Sequence, residues 1–125
     1  MKRQTTGLFA RVMALLRRKD KEQNMRLIRD IRRSLQAFSQ KASAMNGSYE
    51  QEKRQIALLL DAAGQLEPSS DITAAKLEQD ILMRITETSS ACDSVIVGKD
   101  GAEFRQRLSS LQQLVRQRGA LAARG

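Results

Sequence analysis

Arg26, Arg29 and Arg33 recur at i, i+3 and i+7, a spacing that aligns them along one face of a helix. Guanidinium groups in such a row present planar donor forks that suit phosphate and carboxylate oxygens. A row of charges is most often a solvated helix face. Little acid lies near it, Glu22 and Asp30 against four arginines at 26–33, so the row also reads as a polyanion-binding stripe. Nucleic acid is one partner it fits. With only four aromatic residues in the chain, Phe9, Phe38, Phe104 and Tyr49, base stacking is not expected. Such binding would rest on phosphate contacts and weaken with salt. No helix-turn-helix spacing or zinc module adds base readout.

A second pattern occupies residues 7–19, GLFARVMALLRRK, with six large apolar residues, four basic ones and no acid. On a helical wheel Leu8, Phe9, Val12, Met13, Leu15 and Leu16 fill an arc of about 160°. Arg11, Arg17 and Arg18, with Ala10 and Ala14, fill the remainder. An interfacial helix needs this division, with apolar side chains for the acyl boundary and cations for anionic headgroups. Each cation near such a surface contributes about 1 kcal/mol. A bundle helix is amphipathic too, but RRKDK at 17–21 sets the segment apart like a hinge. The expected docking residues are Leu8, Phe9, Val12, Met13 and Leu16, with Arg11, Arg17 and Arg18 beside them.

Other chemistry is scarce. The chain has no histidine and one cysteine, which removes the commonest general base and any thiolate metal cage. Cys92 falls on an apolar stripe, where a buried inert thiol is the expectation. VGKDG at 97–101 lacks the spacing of a phosphate loop and reads as a turn. Glu78, Asp80 and Glu87 have no companions of the kind a dimetal carboxylate site requires. The sequence therefore assigns no catalytic residue, no metal site and no cofactor. A non-enzymatic protein without a small-molecule substrate is expected.

The elements that must carry these residues are helical. Ala, Leu, Arg, Gln, Glu, Lys and Met, which lose little entropy in helices, dominate the composition. SVIV at 94–97 is the only β-branched run, and Pro68 is the only proline. After the segment at 7–18, a second helix follows Asp20 and Gln23, a capping-box pair. Its apolar positions, Met25, Ile28, Ile31, Leu35, Phe38, Ala42 and Met45, approach a heptad seam. Asn46-Gly47 supplies a turn through the left-handed region, and Ser48 with Gln51 caps the next helix. That helix buries Tyr49, Ile56, Leu59, Leu60 and Ala63. QLEPSS at 65–70 is a loop, and Ser70 or Asp71 caps a helix with Ala74, Leu77, Ile81, Ile85, Thr88, Cys92 and Val95 or Ile96 inward. Gly98 ends it. Asp100 and Glu103 box the last helix, which buries Phe104, Leu108, Leu111, Leu114 and Val115 and ends near Gly119.

The expected fold is all-α: an antiparallel up-down bundle of four main helices preceded by a short amphipathic one. Were Asn46-Gly47 only a kink, the alternative is a long helical hairpin completed by dimerisation. The domains divide as 1–19, the basic amphipathic helix; 20–118, the bundle; and 119–125, a flexible basic tail.

Charge divides into blocks: net +9 over residues 1–41, −6 over 42–103 and +5 over 104–125. Two basic ends around an acidic middle suit a polyanionic partner or self-contact. No apolar run reaches the roughly 18–20 residues of a spanning helix. Arg11 splits the only signal-like stretch. A cytoplasmic protein is expected, peripheral at a membrane. It would dock through residues 1–19 on an anionic membrane surface or a protein partner. Two alternatives stand beside this: a nucleic-acid-associated protein using the arginine stripe, and a structural or chaperone-like subunit whose seam a partner chain or a second copy completes.

Overall fold

The computed structural model describes Arg11 and residues 25–124, and among these residues all regular structure is helical. Four helices pack against one another. Helix α1 covers residues 25–42, α2 Glu50–Gly64, α3 Ile72–Ile96 and α4 Ala102–Arg124. The amphipathic segment expected at 7–18 lies outside the described residues apart from Arg11, which is helical.

The heptad-like seam finds its cover within the chain. Ile28, Ile31, Leu35, Phe38 and Ala42 of α1, and Met45 just beyond it, are all buried, against Ile56 and Leu59 of α2, Ile81 and Ile85 of α3, and Phe104, Leu108 and Leu111 of α4. Each large side chain so buried contributes about 1.5–3 kcal/mol. Phe38 and Phe104 meet edge to face with centroids 6.3 Å apart, and Tyr49 meets Phe104 in the same way at 6.2 Å. These three rings close the end of the core where α1 hands over to α2.

That handover is a break in the helix, so the single rod of the alternative fold does not form. Two short bonds, Ala44 N–H to Lys41 O and Met45 N–H to Ala42 O, wind down α1. Asn46 then stands in extended conformation, and its side chain accepts from Ser48 N–H at 2.9 Å. Asn46 is therefore the cap, where Ser48 was expected, and it caps a 3-10 turn at Gly47–Tyr49. Side-chain capping makes the left-handed backbone unnecessary there. At the far end of α3 the expectation holds. Gly98, at φ +95°, takes the left-handed position, and Lys99 N–H reaches Ser94 O while Gly98 N–H reaches Val95 O, a Schellman ending. Asp71 caps α3 through Thr73 N–H. Glu103 instead turns its carboxylate to Arg107, one turn on. Helix α4 continues through Gly119 to Arg124 rather than stopping at the glycine.

Neighbour relations differ from the simplest expectation. Helix α4 lies along α3 and also against α2, whereas α2 and α3, consecutive in sequence, make no close backbone approach. Helix α1 meets α2 through Arg32 and α3 through Lys41, whose ammonium reaches Ser89 Oγ at 2.7 Å and Asp93 at 3.2 Å. The 65–71 connection must therefore cross the end of the core. Seven residues, at about 3.3–3.6 Å each when extended, have ample reach. Leu66, 5% exposed, plugs that end.

Crossing a core leaves backbone carbonyls facing inward, and each needs a donor. Two arginines provide them. Arg32 of α1 donates from Nε to Ala63 O at 2.9 Å and from Nη2 to Gly64 O and Leu66 O, both at 3.1 Å. Arg118 of α4 donates from Nη2 to Glu67 O. Arg118 is wholly buried and pairs through Nε with Glu78 of α3 at 2.7 Å, itself 2% exposed. A buried pair of this kind adds little net stability when intact, but losing one partner leaves a charge stranded in apolar surroundings. Replacing Arg118 by Met should lower unfolding stability by about 3–5 kcal/mol, read as the midpoint and slope of urea denaturation. The double change Glu78→Leu with Arg118→Met should recover most of that loss; equal destabilisation by both would show that the Glu67 carbonyl is the dominant cost.

Gly101 precedes α4 with the Tyr49 ring lying over it. A Cβ there would sit 2.9 Å from Cε1 and 3.0 Å from Cζ of that ring, and closer still to its hydroxyl. Gly101→Ala should destabilise the protein by about 1–3 kcal/mol, the usual range for overpacking, and should alter the near-ultraviolet circular dichroism of Tyr49. An unchanged melting temperature would refute this.

Candidate functional site

Of the residues expected to dock on a surface, Leu8, Phe9, Val12, Met13, Leu16, Arg17 and Arg18 lie outside the described residues. Arg11 is helical and exposed. The arginine stripe is described in full. Arg26, Arg29 and Arg33 are all exposed, on the side of α1 away from Ile28, Ile31 and Leu35, which are buried completely. Gln36 and Gln40 continue the same outward face.

The other arginines of the bundle show what sets this stripe apart. Arg32, one position before Arg33, turns sideways to the carbonyls at the end of α2. Arg84 pairs with Glu87 at 2.9 Å, and Arg107 joins both Glu87 and Glu103. Arg118 is sealed in with Glu78. Arg105 donates to Glu52 at 2.9 Å and lies 4.8 Å from the centre of the Tyr49 ring. The Glu52 hydrogen bond, ahead of any other influence, raises the pKa of this already basic guanidinium. These five arginines are engaged by the fold. Among the described residues, Arg26, Arg29 and Arg33 make no ion pair or side-chain hydrogen bond, nor do Arg54 and Arg116 on other helices.

Two grooves run along α3. One, beside α1, is lined by Ser34, Ala37, Lys41, Thr86, Ser89 and Asp93, with the Lys41–Asp93 pair across its rim. The other, beside α4, holds Arg84, Arg107, Glu103, Gln106 and Ser110. There the cations are already matched by Glu87 and Glu103, so the groove has no surplus charge to attract an ion. No group of three His, Cys, Asp or Glu side chains is placed to hold a metal among the described residues.

Sequence reasoning missed the Glu78–Arg118 pair, although its signal is present. Glu78 lies four residues after Ala74 and three before Ile81, and Arg118 lies three after Val115. Both occupy inward positions of their helices. The seam expected on α3 gave that place to Leu77, which is only half-buried. A charge on each of two facing seams is the sequence signature of a buried pair.

Cys92 is a free, fully buried thiol. Burial raises its pKa, the Asp93 carboxylate adds to the rise, and Lys41 offsets part of it. The thiolate is thus disfavoured until the pH exceeds the ordinary thiol range. Iodoacetamide should alkylate Cys92 far more slowly in the native protein than in urea, with the rate climbing as pH rises. Equal rates in both states at neutral pH would mean the site is open.

Compared with known proteins, the chain matches no family model, no curated protein and no solved structure.

Proposed function

We propose that this is a non-enzymatic helical interaction protein that docks on an anionic membrane surface through its basic amphipathic N-terminal segment, residues 1–19. The bundle of α1–α4 is the body that the segment tethers. A peripheral, cytoplasmic location accompanies this reading. The observation that carries it is the division of cations. The fold engages arginines at its helix contacts, yet leaves the outward face of α1, next in sequence to the amphipathic segment, cationic and exposed. No helix among the described residues is long and apolar enough to cross a membrane, so contact with lipid would be made from the surface.

Helices that alternate in direction along the chain complete the picture. Arg32 meeting the end of α2, and the paired contacts Glu78–Arg118 and Glu87–Arg107 between α3 and α4, support that up-down order. The apolar seam of α1 is covered from within, which directs attention to surfaces rather than an open core as the place where a partner acts.

Deleting residues 1–19 should leave helical content and the unfolding midpoint of the bundle nearly unchanged while abolishing sedimentation with phosphatidylglycerol-containing vesicles. If the full-length chain itself fails to sediment with them, the reading is wrong. Capture of a protein partner that depends on residues 1–19, without vesicle binding, would move the docking role from lipid to protein.

A further inference from the structure

We propose that the outward face of α1 is a second lipid-contacting surface, with Arg26, Arg29 and Arg33 binding the phosphate groups of anionic lipids so that α1 lies flat along the membrane. This rests on the reading of residues 1–19 as a membrane-docking segment. It adds a separate site and an orientation for the bundle.

Three observations carry the inference. The first is position: the three arginines are exposed on the side of α1 opposite its buried seam, so a planar partner can reach all of them without disturbing the core. The stripe runs along the helix axis, spanning about 10 Å from Arg26 to Arg33 at the α-helical rise. A surface that touches all three must therefore lie parallel to α1. The second is availability. Arg32, Arg84, Arg105, Arg107 and Arg118 are held by carboxylates or carbonyls, whereas these three make no such contact among the described residues and, unlike the similarly unengaged Arg54 and Arg116, form a row on one helix face. The nearest acid on the helix, Asp30, is half-buried and to one side. The third is continuity of character. The chain leading into α1 is basic, and its apolar arc at Leu8–Leu16 has a use at an acyl boundary and none along a phosphate backbone. That arc favours a bilayer over duplex nucleic acid as the occupant of the stripe. Arginine suits phosphate oxygens through paired donors, and the attraction falls within a Debye length of the surface.

The test uses the full-length chain and its variant R26Q/R29Q/R33Q, with vesicles of phosphatidylcholine alone or mixed with phosphatidylglycerol. Because the positions are exposed, the variant should keep the wild-type melting temperature. Its partition onto mixed vesicles should fall on the order of a hundredfold at low salt. Wild type and variant should converge as salt is raised. R26K/R29K/R33K should keep most of the binding, since the charge is retained. Wild-type binding that the glutamine variant matches would overturn the second surface while leaving the N-terminal reading intact. Absence of wild-type binding to mixed vesicles would overturn both. Binding to duplex DNA that the glutamine changes abolish, with vesicle binding unaffected, would assign the stripe to nucleic acid and overturn the proposal.

Discussion

A backbone that crosses the end of a hydrophobic core brings carbonyl groups to a place that water does not reach freely. That constraint organises this protein. Where α2 ends and the chain passes over the core, the part-buried carbonyls of Ala63, Leu66 and Glu67 take donors from guanidinium groups, and the exposed carbonyl of Gly64 shares one of them. Arginine is suited to the task because one planar head carries several donors in fixed geometry. Burying Arg118 completely then requires a counter-charge, and Glu78 supplies it. One topological choice thus accounts for a buried ion pair, a capped helix end and the inward plug of Leu66. It ties three helices to one connection.

Most arginines of the described helices divide by role. Those at helix contacts neutralise carboxylates or cap carbonyls, and their long stems also cover apolar surface. Those on the outward face of α1 do neither. Exposed pairs such as Arg84–Glu87 contribute at most about 1 kcal/mol, so their main effect is to cancel charge along α3 and α4. The uncancelled positive charge is thereby left where no partner within the fold competes for it. The net charge of +8 is in this sense an uneven quantity. Among the described residues, charge is matched at the helix contacts and left unmatched on the outward face of α1.

Much of the bundle was legible in the residues. Every inward position expected from Ile28 to Met45 is buried, because a sustained 3–4 spacing leaves a helix only one apolar side. Gly98 and Asp71 did what glycine and aspartate do at helix ends. What escaped was non-local. Hydrophobicity alone ranks Leu77 inward over Glu78; only the facing Arg118, forty residues away, makes a carboxylate tolerable there. Neighbour order escaped for a related reason. A short connection predicts adjacency on average, but the 65–71 segment is long enough to cross, and Arg32 and Arg118 make the crossing affordable. The capping-box pattern points to Ser48, while the short turn that lets Asn46 accept from Ser48 N–H is set by how α1 ends. For the candidate site, the arginine row was readable as a pattern, but its exposure and the engagement of Arg32 beside it required the fold.

Tyr49 is the only tyrosine, and the chain has no tryptophan. Its ring is wedged between Phe104, Gly101 and the Arg105 guanidinium, at the opposite end of the bundle from the arginine-bound connection. The protein thus carries one intrinsic chromophore absorbing beyond the phenylalanine bands, and that chromophore reads one end only. Its fluorescence would follow loosening where α2 meets α4 and stay silent to events at the crossing, so the difference between tyrosine emission and backbone dichroism separates the two ends of the same core without any label.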